Sequence, residues 1–156
     1  MKSIIVIALS LLAGSYVCSA VDESAELAVI VNKAMPSETA EPAELRLMFL
    51  GEKPKWPGGQ NVIAVETPAG SPERAALLRT VYKMSAEALI RYNLQAAFTG
   101  KEIAPPKEVS STAALKKFVA SNPGAIGCLF ASEVDDSVKV LKVSGASPGE
   151  PNYKLR

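Results

Sequence analysis

The hydrophobic pattern of this chain alternates short, unbroken apolar runs with longer stretches of helical spacing. Leu27–Val31 is apolar at every position, the mark of a strand buried on both faces of a sheet. Residues 62–65 and 125–131 read the same way, and residues 138–143 form a last strand. Lys139 and Lys142 in that strand suit an exposed sheet edge. Between these runs, residues 42–50 set Leu45, Met48 and Phe49 at helical spacing, with Pro42 at the start and Gly51 as the stop. A second helix opens at Pro72 and presents Ala75, Leu78, Val81 and Tyr82 on one face. Met84-Ser85 breaks it and supplies a new N-cap. The following helix, Ala86–Phe98, aligns Ile90, Leu94, Ala97 and Phe98 as its apolar face and ends at Gly100. A fourth helix, Thr112–Ser121, is buried through Leu115, Phe118 and Val119, and Asn122-Pro123-Gly124 terminates it.

The remaining segments read as connections. These are the break at 32–36, a loop at 53–60 holding the sole tryptophan Trp56, a surface loop at 101–110 with Pro105-Pro106, and a turn at 133–137. The Pro- and Gly-containing tail 144–156 reads as irregular. Strands alternating with helices predict an α/β fold: a single three-layer domain with a mixed, largely parallel sheet flanked by helices. There is no internal repeat and no sign of a second domain.

The first twenty residues read as a secretory signal. Lys2 is the positive n-region, residues 4–13 are an apolar core, and Cys18-Ser19-Ala20 is a small-residue cleavage site before Val21. The core is short for a membrane-spanning helix, which needs about 20 residues. Acylation of Cys18 as a lipoprotein is the competing route, although Tyr16 and Val17 stand where small residues are expected. The expectation is therefore a signal peptide over 1–20, a periplasmic domain over 21–156, and no stable membrane insertion after cleavage.

Charge narrows the partners. The chain has 17 Lys and Arg against 16 Asp and Glu. Removal of Lys2 with the signal balances them, which argues against a nucleic-acid binder or a polybasic membrane clamp. The sequence contains no histidine, so Ser-His, Cys-His and His-ligated metal mechanisms are excluded. Cys128, inside the apolar run 125–131, is the one cysteine after the signal and reads as a buried small hydrophobe. No metal-ligand spacing and no cofactor motif is present. Asp135-Asp136 is most simply a solvated turn.

The stretch with chemical content is 61–79. A short strand feeds a tight loop ending in Gly70-Ser71, and a helix opens at Pro72, which suits the first helical position because its missing amide has no intrahelical partner there. This geometry holds anions on backbone N–H groups. Arg74 lies in the first turn, where a cation opposes the helix dipole unless a negative charge neutralises it. The simpler account has Ser71 acting only as a cap and Arg74 in solvent.

Several segments, taken in order, resemble one lobe of the phosphate-transporter substrate-binding proteins, within the type II periplasmic binding protein superfamily. They are Val29-Ile30-Val31-Asn32-Lys33, then Glu44-Leu45-Arg46 with Phe49-Leu50-Gly51, Trp56-Pro57, Gly70-Ser71 with Arg74, Phe98-Thr99-Gly100, and Asn122-Pro123-Gly124-Ala125-Ile126-Gly127. Residues 138–145 resemble the closing strand. The resemblance spans most of 27–145 and implies inorganic phosphate or another small oxyanion as ligand, held at Gly70, Ser71 and Arg74, with a transporter as partner. That family's loop reads Gly-Ser-Gly-Thr-Arg. Here Pro72 removes an N–H donor, and Glu73 puts a carboxylate where a hydroxyl is expected. The family also closes two lobes on its ligand, and this chain has length for one. The resemblance with these departures implies at most a weak anion site.

Three functional readings follow. One is a secreted, non-enzymatic binding module with that weak site. The second is an envelope accessory or protein-interaction scaffold that has lost ligand binding, with exposed apolar residues near Trp56 and Met35 as its footprint; Trp56 is otherwise a local core plug. The third is a hydrolase built from Glu66, Glu73 and Ser71, which lacks a general base of suitable pKa in the sequence.

Overall fold

A computed structural model describes residues 25–156. Residues 1–20, read from the sequence as a secretory signal with a cleavage site before Val21, and Cys18 within them, lie outside the described residues.

Six strands form one sheet in the order β2-β6-β1-β5-β3-β4. The strands are β1 (Leu27–Val31), β2 (Thr39–Ala40), β3 (Ile63–Glu66), β4 (Lys107–Glu108), β5 (Ala125–Phe130) and β6 (Lys139–Val143). Strand β1 pairs antiparallel with both β5 and β6, while β2–β6, β3–β5 and β3–β4 pair parallel. One strand thus runs against five, giving a mixed, largely parallel sheet. Four helices flank it: α1 (Pro42–Phe49), α2 (Pro72–Leu77), α3 (Ala86–Phe98) and α4 (Thr112–Ser121).

The unbroken apolar run of β1 has the predicted cause. Leu27, Val29 and Val31 enter the larger core, with Leu45, Met48 and Phe49 of α1 and Leu77 of α2. Ile30 faces the opposite way, into a smaller core with Leu115 and Val119 of α4. Buried on both sides, β1 has no polar face to offer. Asn32, just past its end, is buried; its Nδ2 donates to the carbonyls of Val119 (2.9 Å) and Ala120 (2.8 Å), satisfying groups that the end of α4 leaves free. Gly127 in β5 lets α4 come close, since a Cβ there would lie 2.7 Å from Leu115 Cδ2.

Several sequence expectations are corrected. Strand β6 is not an edge, because the two-residue β2 pairs with it through Thr39–Lys142 and Ala40–Val143. Strand β2 falls between the predicted break at 32–36 and the first helix, and β4 within the segment read as a loop; two residues carry no periodicity to detect. The tail keeps no regular structure after β6 but is anchored: Tyr153 and Leu155 are buried, Tyr153 Oη donates to Leu27 O at 2.5 Å, and Leu27 N donates to Leu155 O at 2.9 Å. Trp56 and Met35 are both buried, and Trp56 Nε1 donates to Gly124 O at 3.0 Å, so neither forms a surface footprint.

The helical faces also differ from their predicted ones. After Leu77 the chain widens into a π turn, Leu78–Tyr82, before Lys83 reverses it at φ 53°. The extra residue per turn rotates Thr80, Val81 and Tyr82 inward together, while Ala75 stays exposed. In α3 the core is reached through Leu89 and Ala96, and the face aligned by Ile90, Leu94, Ala97 and Phe98 looks outward.

Cys128 sits in β5 against the larger core, and burial pushes its thiol pKa far up. Thiolate is the reactive form. A disulfide-exchange reagent should therefore label this site at least about a thousandfold more slowly in buffer than in denaturant. Rapid labelling of Cys128 in native protein would contradict this packing.

Candidate functional site

The turn between β3 and α2 is built as the pattern predicts. Gly70 adopts φ 88°, a conformation open to glycine at low cost, and brings Ser71 into position as the α2 N-cap. Ser71 Oγ accepts from Arg74 N at 3.2 Å and donates to Thr67 Oγ1 at 2.8 Å. Ser71 N donates to Pro68 O at 3.1 Å, and Pro72 at the first helical position has no N–H. Most donors that an anion would need are therefore already used within the turn.

Arg74 is the residue whose setting the sequence did not reveal. Its guanidinium points neither to solvent nor freely into the turn. Nη1 pairs with Glu66 Oε2 at the end of β3, and only 17% of the Arg74 side chain and 6% of the Glu66 side chain remain exposed. Tyr82 Oη donates to Glu66 Oε1, with the Phe49 carbonyl 3.1 Å away as its alternative acceptor. The Arg74 guanidinium also lies over the Tyr82 ring, 5.6 Å from its centroid. Burial lowers the Arg74 pKa, and attraction from Tyr82 and Glu108 opposes that shift; an arginine this basic stays charged. Burial, first of all, raises the Tyr82 pKa, so the phenol stays protonated and remains a donor.

Carboxylates outnumber cations here. Glu66 holds Arg74, Glu73 occupies the first turn of α2, and Glu108 stands beside Glu66 in the β3–β4 register. A cavity of about 160 Å³ opens next to the turn, lined by Gly70, Arg74, Leu78, Leu89, Ile90 and Asn93 among others. Of the predicted site residues, Gly70 and Arg74 reach this cavity, while Ser71 is turned into the cap. For hydrolysis the geometry is unhelpful: the hydroxyl of Ser71 donates to another hydroxyl, not to Glu66 or Glu73. Among the described residues no cluster of three or more Asp, Glu, Cys or His groups could hold a metal.

This arrangement of strands and helices defines the fold of one lobe of the phosphate-transporter substrate-binding proteins. The chain superposes on a putative phosphate ABC transporter substrate-binding protein with bound phosphate from Clostridium perfringens (TM-score 0.64, 23% identity, 79% of this chain and 46% of the other). It likewise matches an ABC-type phosphate transport receptor from Vibrio cholerae (TM-score 0.68, 22% identity, 84% and 53%). A possible phosphate binding protein from Planctomyces limnophilus is similar at TM-score 0.61 and 17% identity, over 81% and 46%. The chain spans about half the length of these structures. No family model matches it.

A buried ion pair is costly to break from one side, because the remaining charge is left in low dielectric. Arg74→Met should destabilise the protein by about 3–5 kcal/mol in denaturant unfolding. Adding Glu66→Leu to that variant should recover much of the loss. Strictly additive single and double substitutions would show that the two side chains are not coupled.

Proposed function

We propose that this chain is a non-enzymatic binding module of the substrate-binding-protein type, with a weak site for phosphate or another small oxyanion at Gly70, Ser71 and Arg74. The fold it shares with proteins described as phosphate-binding supports the ligand class. The observation that carries the weakness is internal: the carboxylate of Glu66 already holds the guanidinium that an oxyanion would need. Glu73 and Glu108 add repulsion nearby, and the cavity lies on the surface where water competes. Secretion to the periplasm belongs to the same reading, supported by the charged, apolar and small-residue order of residues 1–20.

A second reading, a protein-interaction scaffold on a retained lobe, is favoured by one observation: the apolar face of α3 is exposed. A transporter or another envelope protein is its natural partner class.

Calorimetric titration with inorganic phosphate tests the first reading. The dissociation constant should be on the order of millimolar, roughly −4 kcal/mol. Glu66→Gln keeps an acceptor for Tyr82 but releases Arg74 from its ion pair, and should tighten binding about tenfold; Glu73→Thr should act in the same direction. Submicromolar binding by the unaltered protein, or no response to either substitution, would sink the assignment. For secretion, N-terminal sequencing of the protein from a periplasmic extract should read from Val21. An intact Met1 or an acylated Cys18 would overturn that part.

A further inference from the structure

Helix α3 is the most loosely held of the four helices. Helices α2 and α4 both run against β1 and β5, whereas α3 makes no comparable close approach to any strand. Of its 13 residues, Leu89 and Ala96 are the buried ones. Leu89 joins the larger core, and Tyr92 packs against that core partly buried. A helix with so little buried apolar surface belongs to the low-stability end of a structure, where segments open without global unfolding.

The polar attachment of α3 is gathered at one corner. Just beyond α1, Glu52 accepts from Tyr92 Oη and pairs with Lys101 Nζ at 3.0 Å. Lys101 Nζ also donates to Tyr92 Oη at 3.2 Å and lies over the Tyr92 ring, 5.3 Å from its centroid. The hydrogen bonds from Tyr92, first, and from Lys101 lower the Glu52 pKa, so this carboxylate is charged at neutral pH. Among the described residues, no other side chain of α3 hydrogen-bonds or pairs with another element. Left-handed residues flank the helix, Lys83 before it at φ 53° and Gly100 after it at φ 69°. A few such residues at the ends of an element suffice to absorb the backbone change of a hinge.

Beneath α3 lies the cavity beside the Gly70 turn. Gly70, Arg74 and Leu78 form one wall, and Leu89, Ile90 and Asn93 of α3 form the other. We propose that α3 is a hinged flap over this cavity, lifting as a unit on the connection at 83–85 and the loop after Gly100, and held shut by a latch of Glu52, Tyr92 and Lys101. Opening parts Tyr92 and Lys101 from Glu52, withdraws Leu89 from the core and widens access to Arg74. The flap does not depend on the anion reading; only its use as a gate for phosphate rests on that reading.

Hydrogen exchange followed by mass spectrometry tests the flap. Residues 89–98 should exchange together, at least about tenfold faster than α4. Tyr92→Phe keeps the ring and removes only the hydroxyl that Glu52 accepts, and it should speed exchange in α3 about tenfold further while leaving α4 and β1 unchanged. Lys101→Met should act in the same direction. A bulky disulfide reagent should label Leu89→Cys about tenfold faster when Tyr92→Phe is added, with the buried Cys128 of the same chain as the slow reference. Exchange in α3 as slow as in α4, latch substitutions that speed both helices equally, or labelling of Leu89→Cys that ignores Tyr92→Phe would overturn the proposal. Latch-sensitive opening in a protein that shows no phosphate binding by calorimetry upholds the flap and removes only the anion reading.

Discussion

A carboxylate that leaves water must find partners, and the packing around Glu66 answers that requirement. Its position at the end of β3 draws in Arg74 from the first turn of α2 and Tyr82 from the π turn that follows. Each contact constrains an element. Arg74 fixes the angle at which α2 leaves the sheet, and Tyr82 ties the far end of the same helical segment back to Glu66 and to the carbonyl of Phe49 in α1. Arg46 of α1 completes the tie, its Nε donating to Tyr82 O at 2.9 Å. A largely buried pair of this kind returns little net stability over an apolar substitute, but leaving either member alone costs several kcal/mol. The network therefore acts as a condition that the arrangement of α1, α2 and the π turn has to meet.

That condition shapes the functional surface too. A helix N-terminus with a glycine-serine turn is suited to anions because its amides are unpaired and its dipole is positive. Here the turn has consumed those resources internally. Ser71 is spent on Arg74 N and Thr67, Pro72 has no proton to give, and the cation faces an acidic side chain of its own chain. The likeness in fold to proteins described as phosphate-binding and the crowding of the turn by carboxylates are compatible, since a fold places a site without deciding its chemistry.

The reversed strand β1 has a comparable role for the sheet. Placed between β5 and β6 and running against both, it joins the two parallel groups of strands. Its side chains feed both cores, so helices are needed on both faces. The buried tail residues Tyr153 and Leu155 close the end of β1 by taking up its carbonyl and amide groups.

Local signals determined a good part of this protein. The run Leu27–Val31, the caps at Ser71 and Ser85, and the stops at Gly51 and Gly100 carry their physics within a few residues, and the corresponding elements stand where the pattern puts them. What periodicity could not decide is which of two faces a helix buries. Helix α3 has apolar residues on both sides, and only the position of its neighbours selected Leu89 and Ala96 over Ile90, Leu94 and Phe98. The two-residue strands β2 and β4 exist because longer strands beside them offered hydrogen bonds, not through any preference of their own. Gly70, Ser71 and Arg74 were legible as a turn, whereas the pairing of Arg74 with Glu66 was not. The two residues lie eight apart across a loop, and nothing in their spacing states that folding will aim one at the other; the tertiary structure alone settles where a long charged side chain finds its counter-charge.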